Sequence, residues 1–554
     1  MKKLFAACLA LVTLAFAAGA RIEPSLVLVN GKIWTADQPR WIEAAAVLGD
    51  RFVALGTTAE IRALAGPGTQ VIDLKGRMAV PGFIDNHTHF SNGGFQLLGV
   101  DLRSARNEQE FADRIVAHAA RLPAGTWITR GDWDHEAWPT ARIPRRALID
   151  DETGDHPVFV NRLDGHMALA NRRALELAGI DRNTADPPGG TIVRDEVTGE
   201  PTGMLKDAAM ALVERVIPQP SPQRRLEAAR AALAEARRLG VTGIHDMSSF
   251  ADLKTYQELL RRGELTTRIY AITPLPEWKR MADAGIEQGF GGEMLRTGAL
   301  KGFMDGSLGS TTAWFYEPFN DEPTTSGLPS AMWFPEGNVK KMVSAADKAG
   351  LQVAIHAIGD KANHTLLEIY GQVIEDNGAR DRRFRIEHAQ HLLPADYALF
   401  AKLRVIASMQ PYHAIDDGRW AEKRIGPKRI RSTYAFRSLL DAGARLTFGS
   451  DWSVAPLSPL LGVYAAVTRR TLDDKNPSGW VPEQRISVEE ALFAYTFNNA
   501  YGSFEEKVKG SVAVGKLADL VVLSEHLMEI PPEKIKEAQV DLTLLGGRIV
   551  YARK

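Results

Sequence analysis

The 554-residue chain has a formal net charge of −1, with 45% hydrophobic and 24% charged residues. It is too long for one simple domain and long enough to bury a large core. Balanced charge leaves no basic field for nucleic acid or an anionic membrane, and the composition is that of a globular enzyme, not a low-complexity or disordered chain.

At the start, Lys2 and Lys3 precede an apolar run from Leu4 to Ala18, and Ala18-Gly19-Ala20 supplies small residues for cleavage. This pattern predicts a secretory signal peptide over residues 1–20, hence an exported, periplasmic or secreted protein with no stable membrane anchor after cleavage. The run falls short of the ~20 residues that span a bilayer comfortably. Cys8, the only cysteine, lies inside it. The mature chain would have no thiol, so any metal ligands must be imidazoles and oxygens.

From Ser25 to Val80 short strands alternate with turns, beginning with Leu26 to Trp34 around an Asn30-Gly31 hairpin signal. The far end repeats the style at Leu520–Leu523 and Asp541–Tyr551. Residues 21–80 and 503–554 therefore read as one discontinuous β-sandwich, with the main domain, residues 81–502, inserted into it. Inside that insert, strand candidates run from Val80 to His87 and from Gly240 to Asp246. Others are Arg268–Thr273, Leu300–Asp305, Leu351–His356, Phe384–His388, Val405–Gln410 and Arg445–Asp451. Helical periodicity fills the gaps, as in Arg224–Leu239 and Gly337–Gly350. Alternating strands and helices predict an α/β fold, a (β/α)8 TIM barrel, with its chemistry at the strand C-terminal ends. The long gap between the first and second barrel strands predicts an insertion subdomain at about residues 107–220, lying over the barrel mouth.

Metal-binding residue types stand at the predicted strand ends. His87 and His89 flank one residue, and a period of two points both imidazoles into the barrel. That suits two nitrogen ligands of one metal, at about 2.0–2.1 Å for zinc. His356 and His388 each close a strand that leads into a helix. Asp451 ends the last strand, where a carboxylate can bind metal, move protons or cap a helix. An ammonium at Lys301 would be repelled by nearby dications. An amine of lowered pKa can instead add carbon dioxide, and the carbamate so formed can bridge two metals; a solvated lysine is the plainer alternative.

These segments together carry a resemblance. Pro81-Gly-Phe-Ile-Asp-Asn-His-Thr-His89, Leu300 to Gly309, His356-Ala-Ile-Gly-Asp360, Glu387-His-Ala-Gln390 and Gly449-Ser-Asp-Trp452 resemble the amidohydrolase superfamily. They are closest to its family 3 branch, which includes N-substituted formamide deformylases. The resemblance implies that His87, His89 and Asp451 hold one metal, His356 and His388 another, and carbamylated Lys301 bridges them. It implies one or two divalent ions, zinc by preference, and attack by a metal-activated hydroxide on an amide-type small-molecule substrate. Asp451 would then carry the proton to the leaving nitrogen. Trp133-Asp134 and Asp164-Gly-His166 are similar to pieces found near the site in this branch. Trp133, Asp134 and His166 are accordingly expected to contact substrate. His413, which follows Gln410-Pro411-Tyr412 on the seventh strand, is expected to contact substrate or an oxyanion, and Trp133, Trp138, Trp314 and Tyr316 hint at an apolar or aromatic substituent. His245 reads as structural.

The expected activity is hydrolysis of a non-peptide carbon–nitrogen bond, an amide or N-substituted formamide. Deamination by the same activated water, and a barrel that binds a metal or small ligand without turnover, are the competing readings. Oligomeric state, a homodimer included, is left open by the sequence.

Overall fold

The computed structural model describes residues 23–554, so the signal peptide expected over residues 1–20 lies outside the described residues. Eight parallel strands form the central sheet. They are β1 (Phe83–Thr88), β2 (Val241–Met247), β3 (Arg268–Pro274), β4 (Leu295–Phe303), β5 (Gln352–Ala357), β6 (Arg385–His388), β7 (Ile406–Met409) and β8 (Arg445–Phe448). Each pairs in parallel with the next. Strands β1, β5, β6 and β7 are buried along their whole length, as expected when helices cover the outer face and packed side chains fill the interior.

The sheet closes nearly into a barrel. Between β8 and β1 the ladder gives way to contacts just beyond the strand ends. The Asp451 N–H donates to the His87 carbonyl at 2.8 Å, and Thr88 bridges Trp452 in parallel. The Asp85 carboxylate accepts the backbone N–H groups of His87 (3.1 Å) and Ser450 (3.0 Å). Gly449 makes this approach feasible, because a Cβ there would come within 2.4 Å of Asn86 Oδ1 and 2.7 Å of the His87 nitrogen. Seam and site are therefore one piece of structure: the residues that close the barrel also aim His87 and Asp451.

The surrounding helices begin where side chains can cap them. Helix Pro222–Arg238 starts behind Ser221, which accepts the Arg224 N–H, with proline in its first turn. Helix Phe250–Arg261 opens with a reciprocal Ser249–Asp252 capping box. The helix that follows β1, Phe90–Leu97, packs on Pro222–Arg238, and a Cβ at Gly94 would lie 2.1 Å from the Ala228 carbonyl oxygen.

Between β1 and β2 the chain builds its own five-stranded sheet, in the order Gly190–Arg194, Pro201–Asp207, Met167–Ala170, Val158–Asn161, Ile128–Thr129. A separate apolar core that includes Phe111, Trp133, Trp138, Val160 and Met167 lies against it. Two further sheets take strands near the chain ends. One orders Arg51–Gly56, Ala44–Leu48, Leu26–Val29 and Gln70–Asp73. The other orders Arg548–Ala552, Val540–Leu545, Leu520–Leu523, Met78–Pro81, Lys32–Trp34 and Trp41–Ile42. Leu28, Ile33, Val47, Ala79, Leu520 and Leu544 share one core between them. A buried ion pair, Arg268 to Asp519 at 2.7 and 2.8 Å, ties β3 to the C-terminal segment.

The Asn30-Gly31 hairpin does not form. Leu26–Val29 and Lys32–Trp34 belong to different sheets, and Asn30 (φ 54°) carries the chain from one to the other. The turn residues correctly mark a change of direction. Partner choice follows burial: Leu26–Val29 is covered on both faces and takes Ala44–Leu48 and Gln70–Asp73 as neighbours. No helix among the described residues is long and apolar enough to cross a membrane.

Candidate metal centre

His87, Lys301, His356 and His388 project from β1, β4, β5 and β6, and His89 and Asp451 follow just after β1 and β8. All but His87 line one cavity of about 1140 Å³ at the strand C-terminal ends, and His87 is fully buried directly behind them. The His87 ring centroid lies 5.7 Å from His89 and 4.9 Å from His388, and His388 lies 4.6 Å from His356. The Lys301 Nζ is 3.2 Å from His87 Nε2. Asp451 Oδ1 is 3.5 Å from His87 Nε2 and 3.3 Å from His89 Nε2. The six side chains that the sequence singles out are thus brought together.

Oxygen acceptors fix three of the imidazole tautomers. Glu387, on the same strand as His388, accepts from His87 Nδ1 at 2.5 Å. Arg385 (Nε to Oε1, 2.7 Å) and Ser408 (Oγ to Oε2, 2.6 Å) hold that carboxylate in turn. Burial would raise Glu387, but Arg385, His87 and Lys301 keep it well below the carboxylate range. An ionised Glu387 makes His87 Nδ1 the donor and leaves the Nε2 lone pair facing Lys301 and Asp451. His388 Nδ1 donates to Gln410 Oε1 at 2.8 Å, and His356 Nε2 donates to the Gly306 carbonyl at 2.9 Å. His356 and His388 each keep one nitrogen without a hydrogen bond, and the remaining nitrogen of His87 meets only Lys301 Nζ, the arrangement usual for metal-binding histidines.

Burial, with help from Lys301, lowers His87 to about 4, and burial also takes His356 and His388 well below the usual imidazole value. The three rings are neutral at pH 7, as ligands must be. Burial lowers Lys301 to about 8 against the pull of Glu387 and Asp451, so a usable fraction of its amine is unprotonated near neutrality. Asp451 behaves oppositely. Burial would raise it, but His87, His89 and His388 facing it hold its carboxyl well below the usual range.

The donors fit a divalent cation. His87, His89 and Asp451 offer ligand atoms all within 4.8 Å of one another, and so do His388, His413 and Asp451. Asp451 Oδ1 and His413 Nε2 are buried without a hydrogen bond, a condition buried polar atoms seldom tolerate unless something else binds them. His388 (φ 74°) and Asp451 (φ 59°) adopt left-handed backbone that costs a non-glycine residue about 1 kcal/mol or more. At His388 the twist breaks strand alternation, so that consecutive Glu387 and His388 both serve the centre. His356 stays outside both compact donor groups, although its ring touches that of His388.

The residues expected at the substrate behave differently from one another. His166 lines the cavity 5.3 Å from the His356 ring, with Nδ1 bonded to Asp207 Oδ1 at 2.7 Å. Burial would lower it, but Asp207, Asp164 and Asp305 raise it to about 8. Asp134 reaches the cavity wall, yet its oxygens accept from Arg162 at 3.0 Å and Arg419 at 3.1 Å, which makes it a brace for loops. His413 lies beside His388 and joins the donor set. The expectation for Trp133 is corrected: its indole is fully buried, donates to the Val160 carbonyl at 2.9 Å and packs in the subdomain core. A large aromatic in a strand-rich insert completes a core more readily than a cavity wall. Trp138 is in the same core, and Trp314 and Tyr316 do not line the cavity. Neither Glu387, which opens one of the family-like segments, nor Gln410 is assigned a function from the sequence. Glu387 could have been found from its period-two partner Arg385, because two opposite charges on one inward face of a buried strand must satisfy each other.

A family model described as the amidohydrolase family matches residues 70–551. The chain belongs to the amidohydrolase family. It is 38% identical to Protein LONG AFTER FAR-RED 3 of Arabidopsis thaliana over 548 residues, covering 96% of this chain and 92% of that one. It is 28% identical to N-substituted formamide deformylase of Arthrobacter pascens, over 95% and 98% of the two chains. The crystal structure of an uncharacterized metal-dependent hydrolase from Pyrococcus horikoshii OT3 superposes with a TM-score of 0.75 at 27% identity, covering 92% of this chain and 99% of that one. The amidohydrolase described above is therefore a hydrolytic enzyme of the class that cleaves carbon–nitrogen bonds, with a metal-dependent fold and a candidate His/Asp metal site.

Proposed function

We propose that the protein hydrolyses a non-peptide amide bond of a small molecule, with N-substituted formamides as the leading substrate class. The observation that carries this reading is the convergence of His87, His89, Lys301, His356, His388 and Asp451 at one cavity floor, with one nitrogen of His356 and of His388 left without a hydrogen bond and the Asp451 Oδ1 oxygen buried and unpartnered. The likeness to N-substituted formamide deformylase supports the choice of bond.

His87, His89 and Asp451 would hold one divalent ion, for which zinc suits the nitrogen and oxygen donors. His388 and His356 would serve a second, with a carbamate on Lys301 between the two. Bound metal supplies Lewis acidity that makes water nucleophilic and polarises a carbonyl. Asp451 would also accept the proton of the attacking water on its carboxylate and return it to the leaving nitrogen. His166, protonated at neutral pH and anchored through Nδ1, presents Nε2–H to the substrate oxygen. Asp134 keeps the surrounding loops in place through Arg162 and Arg419. The leader pattern over residues 1–20 supports export, with the reaction taking place outside the cytoplasm.

The test is turnover of a panel of N-formyl amines by purified, metal-analysed protein, measuring amine and formate together. Equal amounts of the two products are expected. Ammonia without formate would redirect the reading to deamination, and inertness of metal-loaded protein toward every amide tried would sink it. Mass detection of a carbon dioxide adduct on Lys301 checks the bridge separately.

A further inference from the structure

The outer part of the cavity contains a cation that the chemistry above does not use. Arg130 follows Ile128–Thr129 in the insertion subdomain and lines the same cavity as Lys301 and Asp451. Its guanidinium carbon lies 5.0 Å from the centre of the Phe95 ring. Among the described residues no carboxylate lies within ion-pair distance of it, and no side-chain hydrogen bond reaches it. Five N–H donors against an aromatic face, without an oxygen partner, are unusual for arginine.

Of the acids near Arg130, two are occupied by other partners and the third, Glu214, lines the same cavity beyond ion-pair distance. Asp132 accepts from the side-chain amides of Gln96 (2.5 Å) and Asn161 (2.7 Å). Asp252 caps its helix through Ser249 and pairs with Arg225 at 3.4 Å. Glu214 stands at the exposed rim without an ion pair among the described residues. One guanidinium without an ion-pair partner among the described residues carries a single positive charge, which matches a monoanion. A dianionic phosphate would be repelled by the same carboxylates. A carboxylate, which matches the guanidinium fork through two parallel hydrogen bonds, fits best.

Position relates this cation to the reacting bond. His89 sits at the N-cap of helix Phe90–Leu97, and Phe95 is six residues further along it. At a rise of about 1.5 Å per residue, the helix backbone advances roughly 9 Å from His89 to Phe95, which sets the guanidinium stacked on Phe95 apart from the metal end of the same cavity. We propose that Arg130 receives a carboxylate carried at the far end of the substrate, so that the preferred substrates are amides with one arm ending in a carboxylate. This rests on the amide-hydrolase reading and narrows it to a substrate class.

The probes are N-formyl derivatives of ω-amino acids of graded chain length, each compared with its methyl ester. For the length that spans the cavity, wild-type kcat/KM is expected to favour the free carboxylate by ten- to a hundredfold. In Arg130→Gln that ratio should fall to near one. Arg130→Lys, which keeps the charge and loses the fork, should be intermediate, with circular dichroism confirming that both variants are folded. A wild-type ratio near one, or a ratio unchanged in Arg130→Gln, would overturn the assignment while leaving amide hydrolysis intact. If no probe is hydrolysed, calorimetric binding of the same acid and ester to the purified protein decides. At least tenfold tighter binding of the acid, lost in Arg130→Gln, supports the site, and equal affinities refute it.

Discussion

On the cavity floor, His87, Lys301, His356 and His388 stand on strands whose backbones are locked in a parallel ladder. In the roof, Asp134, Asp164 and His166 stand on loops held by salt bridges to Arg162 and Arg419. Floor residues need little besides the barrel to be in place. The roof depends on a buried charge network whose members are useful only together, because removing one leaves another charged and unpaired. The two regions therefore suit different tasks, with reaction geometry on the rigid ladder and substrate choice on the adjustable roof.

The largest effect should come from the floor. His87→Ala is expected to lose bound metal and on the order of a thousandfold or more in kcat/KM, while circular dichroism shows a folded barrel. Unfolding instead would mean that floor and fold cannot be separated. Next, Lys301→Ala should lose roughly a hundredfold or more and recover part of it when short carboxylates such as acetate or propionate are added. Full activity without a supplement would remove Lys301 from the centre. Glu387→Gln keeps size but cannot hold His87 as firmly, so metal affinity measured by competition with a chelator should fall about 10- to 100-fold. An unchanged affinity would show that β1 alone orients the ring.

The roof predictions are smaller and concern stability. Burial would raise Asp164, but Arg162, His166 and Ser307 overrule it and hold it at about 2, below the 3.8 of a free side chain. Its contribution is thus present above pH 4 and lost as pH falls toward 2, an amount on the order of 2 kcal/mol. Asp164→Asn should be less stable than wild type at pH 5, and denaturant melts should show the gap narrowing toward pH 2.5. A constant gap would show that Asp164 acts through packing, not charge. Trp133→Phe removes the hydrogen bond to Val160 and should cost about 1–2 kcal/mol without moving KM. A changed KM would return Trp133 to the substrate.

Much of the floor was legible in the chain. His87 and His89 follow an apolar strand, His388 ends another, and spacing alone ranks such residues as inward-facing at a barrel mouth. Legibility failed where a residue's role depends on a distant partner. Asn30-Gly31 announces a turn but not that the strands on either side join separate sheets. Trp133 adjoins Asp134 in sequence, yet one indole fills a core while the next carboxylate braces two arginines. His413 had no ligand spacing of its own, and only the approach of β7 to β6 puts it among the donors.

By itself the sequence determined the alternation of strand and helix, the order of barrel strands and the side chains at their ends. All of these follow from local periodicity and from residues within a few positions of one another. Tertiary structure alone decided which nitrogen of each imidazole is held by an oxygen acceptor, that Glu387 reaches across to His87, that Asp451 stands between two groups of donors, and that Arg130 has no ion-pair partner among the described residues. Those outcomes rest on register and on packing between segments separated by tens to hundreds of residues, where a shift of one strand position would turn every inward side chain to the opposite face.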